Sequence, residues 1–334
     1  MELVTPLVSI IVPNYNHEKY LVERLESIFN QSFTDYEVIL LDDCSTDTSR
    51  NILSEYATKS TVSHCVFNDS NSGNTFLQWN KGIALAKGDY IWIAESDDFC
   101  NLNFLEVVVK PLMENPEVVL SYCQSNMVNQ DSTITGNWLK HTDDLDSIFF
   151  CDKFCIDGNT FLERFLIFKN VIPNASAVLF RKNKAITIGG LNVNPALKYN
   201  GDWTFYINLI LNDKIVFIPD SLNNFRYHSQ SVIANAVKVE TFINLKNIIL
   251  VTRKEIARLI KRAQPKNKLN LIKLNRIESQ KITYEKAQYY FKSNQNFKSF
   301  LLMISVLNIV NFKKDIVIKF TNKFKDIFKF IFKK

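Results

Sequence analysis

The sequence lacks the cysteine spacing of a disulfide-stapled or zinc-binding protein. Its six cysteines are scattered between Cys44 and Cys155, with no C-x-x-C pair and no histidine pair nearby. A chain of 334 residues can bury a sizeable core without such staples. We therefore expect reduced thiols and an intracellular protein.

Long hydrophobic runs are also missing. Residues 7–12 form a short apolar run that ends at Pro13, which predicts a strand rather than a signal peptide. The apolar stretch at 300–310 is too short for a membrane span and is interrupted by Ser305 and Asn308. We expect this stretch to form a buried or interfacial helix.

The main part of the chain has no excess of positive charge. The formal net charge is +6, and residues 311–334, with eight lysines and two aspartates, account for all of it. A nucleic-acid-binding protein needs basic residues across its working face rather than at one end. We therefore expect no nucleic-acid partner.

The basic tail has helical periodicity, with apolar residues on one side of a helical projection and lysines on the other. Such a helix suits an anionic membrane surface, so we expect peripheral contact there. The alternative is a helix packed on its own domain with a solvated lysine face. The apolar side comprises Phe312, Ile316, Phe320, Phe324, Ile327, Phe328 and Ile331, and the other side Lys314, Lys319, Lys325, Lys329 and Lys333.

Residues 7–124 alternate short β-rich runs with helical periodicity, which is typical of βα units around a largely parallel sheet. Asn16 is the expected cap of the first helix. The stretch at 126–170 is polar and irregular. The last glycine of the chain is Gly201 and the last proline is Pro265, so the final hundred residues contain few helix breakers. The prediction is an α/β domain over 1–235 and a helical extension over 236–334.

Polar side chains follow three of the predicted strands. They lie at 14–16, at 42–43 and at 95–98, each directly after an apolar run. In an open α/β sheet, ligands bind beyond the carboxyl ends of the strands. We therefore expect these three loops to face one crevice.

The acidic segment at 95–98 is a candidate metal site. Glu95 and Asp97 are two residues apart, and in an extended segment this spacing puts both side chains on one face. Mg²⁺ and Mn²⁺ prefer oxygen ligands and commonly share them with substrate phosphates. The alternative is a polar turn that precedes the helix beginning near Asn103.

The other two loops could hold a nucleotide. Asp42 and Asp43 could accept hydrogen bonds from a base or a ribose, although an Asx-turn with a helix cap would explain them as well. Tyr15 offers a ring for stacking on a base, while buried packing is the commoner fate of a tyrosine. Pro13 ends its strand.

Two further residues are candidates for the chemistry. Asp202 precedes an amphipathic helix, whose N-terminus would keep it ionised as the base that takes a proton from an acceptor hydroxyl. Helix capping is the alternative. His228 could bind the metal or a diphosphate, or could be structural. His17, His64 and His141 have no partner spacing and are expected in surface or loop positions.

These residues together resemble the family 2 glycosyltransferases of the GT-A fold, a Rossmann-like mixed sheet flanked by helices. The resemblance covers about residues 6–235 and rests on V-S-I-I-V-P-N-Y-N from Val8, V-I-L-L-D-D-C-S-T-D from Val38, N-K-G-I-A-L-A-K-G-D-Y-I from Asn80, A-E-S-D-D from Ala94, and G-D-W from Gly201. The family transfers sugars from nucleotide-sugar donors, often UDP-linked, with inversion of the anomeric centre.

The resemblance also implies roles for individual residues. It places Pro13, Tyr15, Asp42 and Asp43 at nucleotide-binding positions. Asp97 falls on the main metal-ligand position of the D-x-D motif, and Asp202 falls on the position of the catalytic base. Glu95 stands where the family usually has the first Asp of that motif, and Ser96 lies between them; we expect both near the nucleotide-sugar.

The sequence thus predicts an inverting, Mn²⁺- or Mg²⁺-dependent glycosyltransferase that uses a nucleotide-sugar donor and a glycan or lipid-linked acceptor. We expect it in the cytoplasm, peripheral on the inner face of the cell membrane, in surface polysaccharide synthesis. One alternative is a sugar-nucleotide pyrophosphorylase, although residues 13–16 contain no glycine to cradle a phosphate. The other is a non-catalytic sugar-nucleotide-binding protein.

Overall fold

The structure, a computed structural model, describes residues 5–228 and 240–307. The basic tail at 311–334 and the predicted domain boundary near residue 235 lie outside these residues. Within the described part, no helix is long and apolar enough to cross a membrane.

Ten strands in the described residues form one mixed sheet. Eight of them are neighbours in the order β3-β2-β1-β4-β9-β6-β10-β5. The other two, β7 and β8, pair with β6 and β10. The strands are β1 (Val8–Asn14), β2 (Tyr36–Asp42), β3 (Val62–Phe67), β4 (Tyr90–Ile93), β5 (Phe99–Cys100), β6 (Val118–Val128), β7 (Ile134–Asn137), β8 (Phe154–Asp157), β9 (Val178–Arg181) and β10 (Lys214–Arg226).

The helices cover both faces of this sheet and then continue beyond it. They are α1 (Glu18–Phe29), α2 (Ser49–Tyr56), α3 (Thr75–Leu85), α4 (Phe104–Glu114), the short α5 (Gly158–Phe161), which runs into a π-helical turn (Leu162–Leu166), α6 (Lys182–Thr187), α7 (Gly201–Ile210), α8 (Phe242–Ala263), α9 (Lys268–Lys292) and α10 (Asn296–Leu307).

The first four strands of the sheet are parallel, and β9 is antiparallel to both of its neighbours, β4 and β6. The predicted mixed α/β sheet with a following set of helices is confirmed. One boundary differs, because α1 begins after His17 and not after the predicted cap Asn16. Asn16 has a left-handed φ of 56°, and its Oδ1 instead accepts a hydrogen bond from the amide of Thr46 at 2.7 Å.

The two faces of the sheet have separate hydrophobic cores. Val8, Ile10 and Val12 of β1 pack with α1 and α4, whereas Ile11 packs on the opposite face with α3 and α7. This alternation follows from the two-residue period of a strand. Because both faces are covered, ligands can reach the sheet only at its ends.

The C-terminal helices share the second of these cores. Ile256, Leu259 and Ile260 of α8 are buried in the cluster that includes α3 and α7. The buried Arg253 of α8 donates to the backbone oxygen of Phe168 at 2.7 Å, and its guanidinium lies over the ring of Trp203 at 4.9 Å. Helix α8 is therefore packed directly on the α/β body.

A close contact between the turn before β4 and the start of β1 aligns these two strands. The amide of Gly88 donates to Ser9 Oγ at 2.8 Å. A Cβ atom at Gly88 would lie 2.7 Å from the backbone atoms Ser9 N and Val8 C. Since backbone atoms cannot rotate away, only glycine fits between the turn and β1.

We predict that Gly88→Ala lowers the free energy of unfolding by about 1–3 kcal/mol, because the added methyl group overpacks a rigid contact. Gly136→Ala is the matched control, since its Cβ would come no closer than 4.0 Å to another atom. That variant should stay within about 0.5 kcal/mol of the parent. Urea denaturation of the two variants tests this, and equal midpoints would contradict it.

Candidate active site

The strands β1 and β4 stop pairing before β1 ends, and this opens a crevice. Their last paired residues are Ile11 and Ile93, and the amide of Ala94 donates to Ile11 O at 2.8 Å. Beyond this point, the residues that follow each strand line a cavity of about 450 Å³, as expected where neighbouring connections diverge. Its wall includes Pro13, Asn14, Tyr15, Asn16, His17, Asp43, Gly73, Asn74, Gln78, Glu95 and Ser96. The prediction that three strand-end loops face one crevice is confirmed.

Tyr15 presents its ring to this cavity. Its side chain is 44% exposed, which excludes the alternative of a buried packing role. Pro13 lies two residues before Tyr15, in the part of β1 beyond the last residue that pairs with β4. Because proline has no amide hydrogen, it fits where the strand has no partner on that side.

Asp43 lines the cavity and organises the loop opposite. Its carboxylate accepts hydrogen bonds from Asn68 Nδ2 at 2.7 Å, from Gln78 Nε2 at 2.8 Å, and from the amide and hydroxyl of Ser72. The loop before α3 is thereby fixed against the end of β2. Much of the hydrogen-bonding capacity of Asp43 is thus already used within the protein.

Asp42 does not line the cavity. It is fully buried, and its oxygens accept from Asn14 Nδ2, the Ser45 amide and Arg50 Nε, each at 2.9 Å. The acceptance from Ser45, three residues on, is the local turn that was the alternative for this residue. The position predicted for direct nucleotide contact is therefore occupied by a side chain that holds the surrounding loops.

The acidic segment is a turn and not an extended strand, which corrects the prediction that Glu95 and Asp97 share a face. The amide of Asp98 donates to Glu95 O at 3.3 Å. Glu95 lines the cavity and accepts from Trp79 Nε1 at 2.7 Å. Asp97 instead faces His228, whose Nε2 lies 3.0 Å from its Oδ2.

Crowding of acids changes the protonation of this turn. Burial, followed by the charges of Asp97 and Asp98, raises the pKa of Glu95 to about 8. Burial and the charge of Asp97 raise the pKa of Asp98 to about 7. Burial also acts to raise the pKa of Asp97, but the hydrogen bond with His228 and the histidine charges outweigh it and the net pKa is lowered. Negative charge is therefore concentrated on Asp97.

Two buried arginines hold the turn in place. Arg24 donates from Nε to Glu95 O at 2.8 Å, and its Nη2 lies 3.9 Å from Asp98 Oδ2. Arg226 donates from its amide to Asp98 Oδ1 at 2.9 Å and from Nε to Asp97 O at 2.7 Å. Since Asp98 is engaged by both arginine residues, it acts as an internal anchor of the turn.

One carboxylate and two imidazoles form a group that could hold a metal ion. One ligating atom from each of His17, Asp97 and His228 lies within 4.8 Å of the others. This set fits Mn²⁺ better than Mg²⁺, because Mg²⁺ favours oxygen ligands alone. His17 lies in the loop between β1 and α1, as expected, but its grouping with Asp97 and His228 was not predicted. Glu95, also predicted as a ligand, points to the cavity and lies outside this group.

Asp202 lies in the first turn of α7 and faces a second cavity, of about 510 Å³. Its Oδ2 accepts from Asn170 Nδ2 at 3.0 Å. Burial raises the pKa of Asp202 to about 6, against the opposing effect of backbone amides at the helix start and of Asn170. The helix terminus lowers the pKa of Asp202, as expected, but burial raises it by more. With a pKa of about 6, the carboxylate is still mostly ionised at neutral pH.

The acidic turn and Asp202 are neighbours. The segment 170–174 connects them, since Asn170 donates to Asp202 and Asn174 Nδ2 donates to Asp98 Oδ2 at 3.2 Å. Burial, and then the charges of Asp202 and Glu95, raise the pKa of Tyr206 well above its ordinary value. The phenol of Tyr206 is thus influenced by one carboxylate from each cavity.

Several residues of the site were not predicted from the sequence. They are Arg24, Trp79, His141, Asn170 and Asn174, of which His141 lines the cavity of Asp202 and contacts Asn170 O at 2.9 Å. For His17, a signal was present, because it follows the polar end of β1 directly. The others come from helix faces or from the irregular middle, where spacing gives no indication of what they contact.

Comparison with known proteins agrees with this geometry. The family model described as glycosyl transferase family 2 matches residues 9–170. The glycosyltransferase GlyG of Streptococcus pneumoniae serotype 4 is 29% identical over 240 residues, which cover 69% of this chain and 73% of GlyG.

TarS of Staphylococcus aureus, a poly(ribitol-phosphate) β-N-acetylglucosaminyltransferase, is similar over a shorter stretch. It is 37% identical over 100 residues, which cover 29% of this chain and 17% of TarS. The crystal structure of TarS residues 1–349 with UDP-GlcNAc has a TM-score of 0.60 at 19% identity, and the alignment covers 86% of this chain and 73% of that one. That likeness shows the fold.

The motifs at the strand ends, the family match and the shared fold lead to one conclusion: this chain contains a glycosyl transferase family 2 domain, matched over residues 9–170, and is a glycosyltransferase.

Proposed function

We propose that this enzyme transfers a sugar from a nucleotide-sugar donor, UDP-linked in our proposal, to a hydroxyl of a glycan or lipid-linked acceptor, with inversion, in the synthesis of a surface polysaccharide. The observation that carries this proposal is the pair of cavities linked by the segment 170–174. One is polar and has an exposed aromatic ring, and the other contains a half-buried carboxylate that is ionised near neutral pH. The acidic turn lines the first cavity through Glu95 and Ser96 and is linked to the second through Asn174 and Asn170.

The polar cavity suits the donor nucleotide. Tyr15 offers an exposed ring for the base, and Asp43, held by its protein donors, defines the opposite wall. Glu95 and Ser96 lie where the cavity meets the acidic turn, near the expected position of the diphosphate and the sugar. The TarS crystal structure with bound UDP-GlcNAc gives an example of such a donor on this fold.

Asp202 is the proposed base. As the acceptor oxygen attacks the anomeric carbon, its proton passes to the Asp202 carboxylate and the bond from that carbon to the diphosphate oxygen breaks. Attack from the face opposite the leaving group inverts the anomeric centre. Asn170 orients the carboxylate by its hydrogen bond to Oδ2.

A divalent ion, Mn²⁺ in our proposal, would be held by Asp97 and His228, and it would supply positive charge to the departing diphosphate. This charge would complement the acid-rich turn. Arg24 and Arg226 keep the turn rigid, so that Asp97 is presented in one orientation. Rigid presentation matters because catalysis depends on charges already in place when the bond breaks.

The acceptor would enter the second cavity, which is largely apolar. Helix α8 supplies one wall through Leu245, Ile248 and Ile249, and Trp138 and Ile172 are among the other lining residues. Aromatic and aliphatic walls suit the carbon-bound hydrogens of a sugar ring or the chain of a lipid carrier. A cytoplasmic enzyme resting on the inner face of the membrane through its basic tail would meet such carriers directly.

We predict that Tyr15→Ala weakens binding of UDP by roughly 5- to 100-fold, in line with the loss of one base-stacking contact. Isothermal titration with UDP measures this. The matched control is Tyr289→Ala, since Tyr289 is 40% exposed but lies on α9 and does not line the donor cavity. An unchanged affinity in Tyr15→Ala would remove the ring from the nucleotide site.

We predict that Asp202→Asn lowers the rate of sugar transfer by about 10²- to 10⁴-fold while UDP affinity stays near that of the parent, because the amide cannot take a proton. The rate of transfer is measured as the amount of UDP released in the presence of acceptor. The control is Asp220→Asn, which changes an exposed carboxylate on β10. Full turnover in Asp202→Asn would exclude this residue as the base.

We also predict an acid limb in the pH profile of transfer at saturating substrates. The pKa of Asp202 is about 6, and the ionised form is the active one, so the rate should rise with pH and level off above about 6. Well below that pH it should fall about tenfold per unit. The residual activity of Asp202→Asn should lack this limb, and a shared limb would assign it to another group.

A further inference from the structure

We propose that His17 is a ligand of the divalent ion, so that the ion is bound by three protein side chains from three separate strand ends. His17 follows β1, Asp97 follows β4, and His228 follows β10. The inference depends on the proposed function only in its use of a divalent ion. Neither the family match nor the relatives assign a role to His17.

The first argument is proximity. One ligating atom from each of the three side chains lies within 4.8 Å of the others. The two imidazole rings are 5.6 Å apart between centroids and nearly perpendicular, at 85°. Ligands of one ion are held a little over 2 Å from it, so their atoms are separated by about 3–4 Å. Only small side-chain movements are needed to reach this arrangement.

The second argument concerns the other nitrogen of the ring. His17 Nδ1 lies 2.8 Å from the hydroxyl oxygen of Ser96, which is almost completely buried. A histidine that binds a metal through one nitrogen generally has its second nitrogen held by a hydrogen bond, which fixes the orientation of the ring. In this proposal Ser96 is a positioning residue that fixes the His17 ring and leaves Nε2 as the nitrogen available to the ion.

The third argument is the location of His17 on the donor loop. It stands two residues after Tyr15, and both line the donor cavity. An ion bound by His17 would therefore be tied to the same loop that receives the nucleotide. The consequence is that binding of the ion and binding of UDP should strengthen each other, since each orders this loop for the other.

The test is a titration of the nucleotide-free enzyme with Mn²⁺. Electron paramagnetic resonance measures the concentration of free Mn²⁺ at each step. We expect His17→Ala to weaken Mn²⁺ binding roughly tenfold or more, and Ser96→Ala to weaken it by a smaller factor. Spin-echo measurements on the bound ion detect directly coordinated imidazole nitrogen. The parent should give the signal of two imidazoles, and His17→Ala that of one.

Two further variants separate ligation from a structural role. His64→Ala is the matched control, because His64 also contacts a neighbouring serine hydroxyl, Ser63 Oγ at 3.1 Å, but lies in β3. It should leave Mn²⁺ affinity unchanged. His17→Glu supplies a carboxylate instead of an imidazole and should recover Mn²⁺ affinity relative to His17→Ala, with one imidazole signal.

The outcomes are distinct. If His17→Ala keeps the affinity and the two-imidazole signal of the parent, the proposal is overturned. It is also overturned if His17→Ala weakens UDP binding alone, since that would assign the ring to the diphosphate. Sugar transfer by the parent without any Mn²⁺ binding would remove the ion altogether and leave the transferase function standing.

Discussion

The concentration of buried negative charge between Glu95 and Asp98 is the constraint on which the rest of the site depends. Carboxylates this close cannot all ionise without compensation, and their pKa values separate accordingly. The protein answers with two buried arginines and two histidines around one turn. The arginines bind the backbone and Asp98, and the histidines gather near Asp97. The turn thereby has an anchored side and a side available to a cation.

The same division between support and contact recurs at the end of β2. Asp42 and Asp43 are adjacent in sequence, but a strand directs successive side chains to opposite faces. Asp42 is buried among Asn14, Ser45 and Arg50, and Asp43 reaches the donor cavity. In the pair 42–43 the first acid is wholly engaged by the protein and the second reaches the cavity, and in the pair 97–98 Asp98 is the anchored acid and Asp97 contacts His228.

Strand-ends and periodicity allowed most of the α/β body to be predicted, because the apolar runs of β1, β2 and β4 and the stripes of α1 and α3 are local patterns. The crevice followed from the same patterns. What could not be predicted depends on distant contacts. The turn at Glu95 is held by Arg226, more than a hundred residues away, and the pKa of Asp97 is lowered by His228 and His17, which come from other parts of the chain. The role proposed for His17 could not be predicted either, because it depends on His228, which the end of β10 places beside it.

The position of α8 separates two tasks that lie within one active site. The donor cavity is built entirely from residues before 100, inside the stretch that matches the family, whereas the cavity at Asp202 has a wall contributed after residue 240. Exchanging the C-terminal helices would therefore change the wall of the cavity proposed for the acceptor. The residues that line the cavity proposed for the nucleotide would stay the same. Removing these helices would expose Asp202, our proposed base, to bulk water, and we would then expect loss of the activated sugar to hydrolysis.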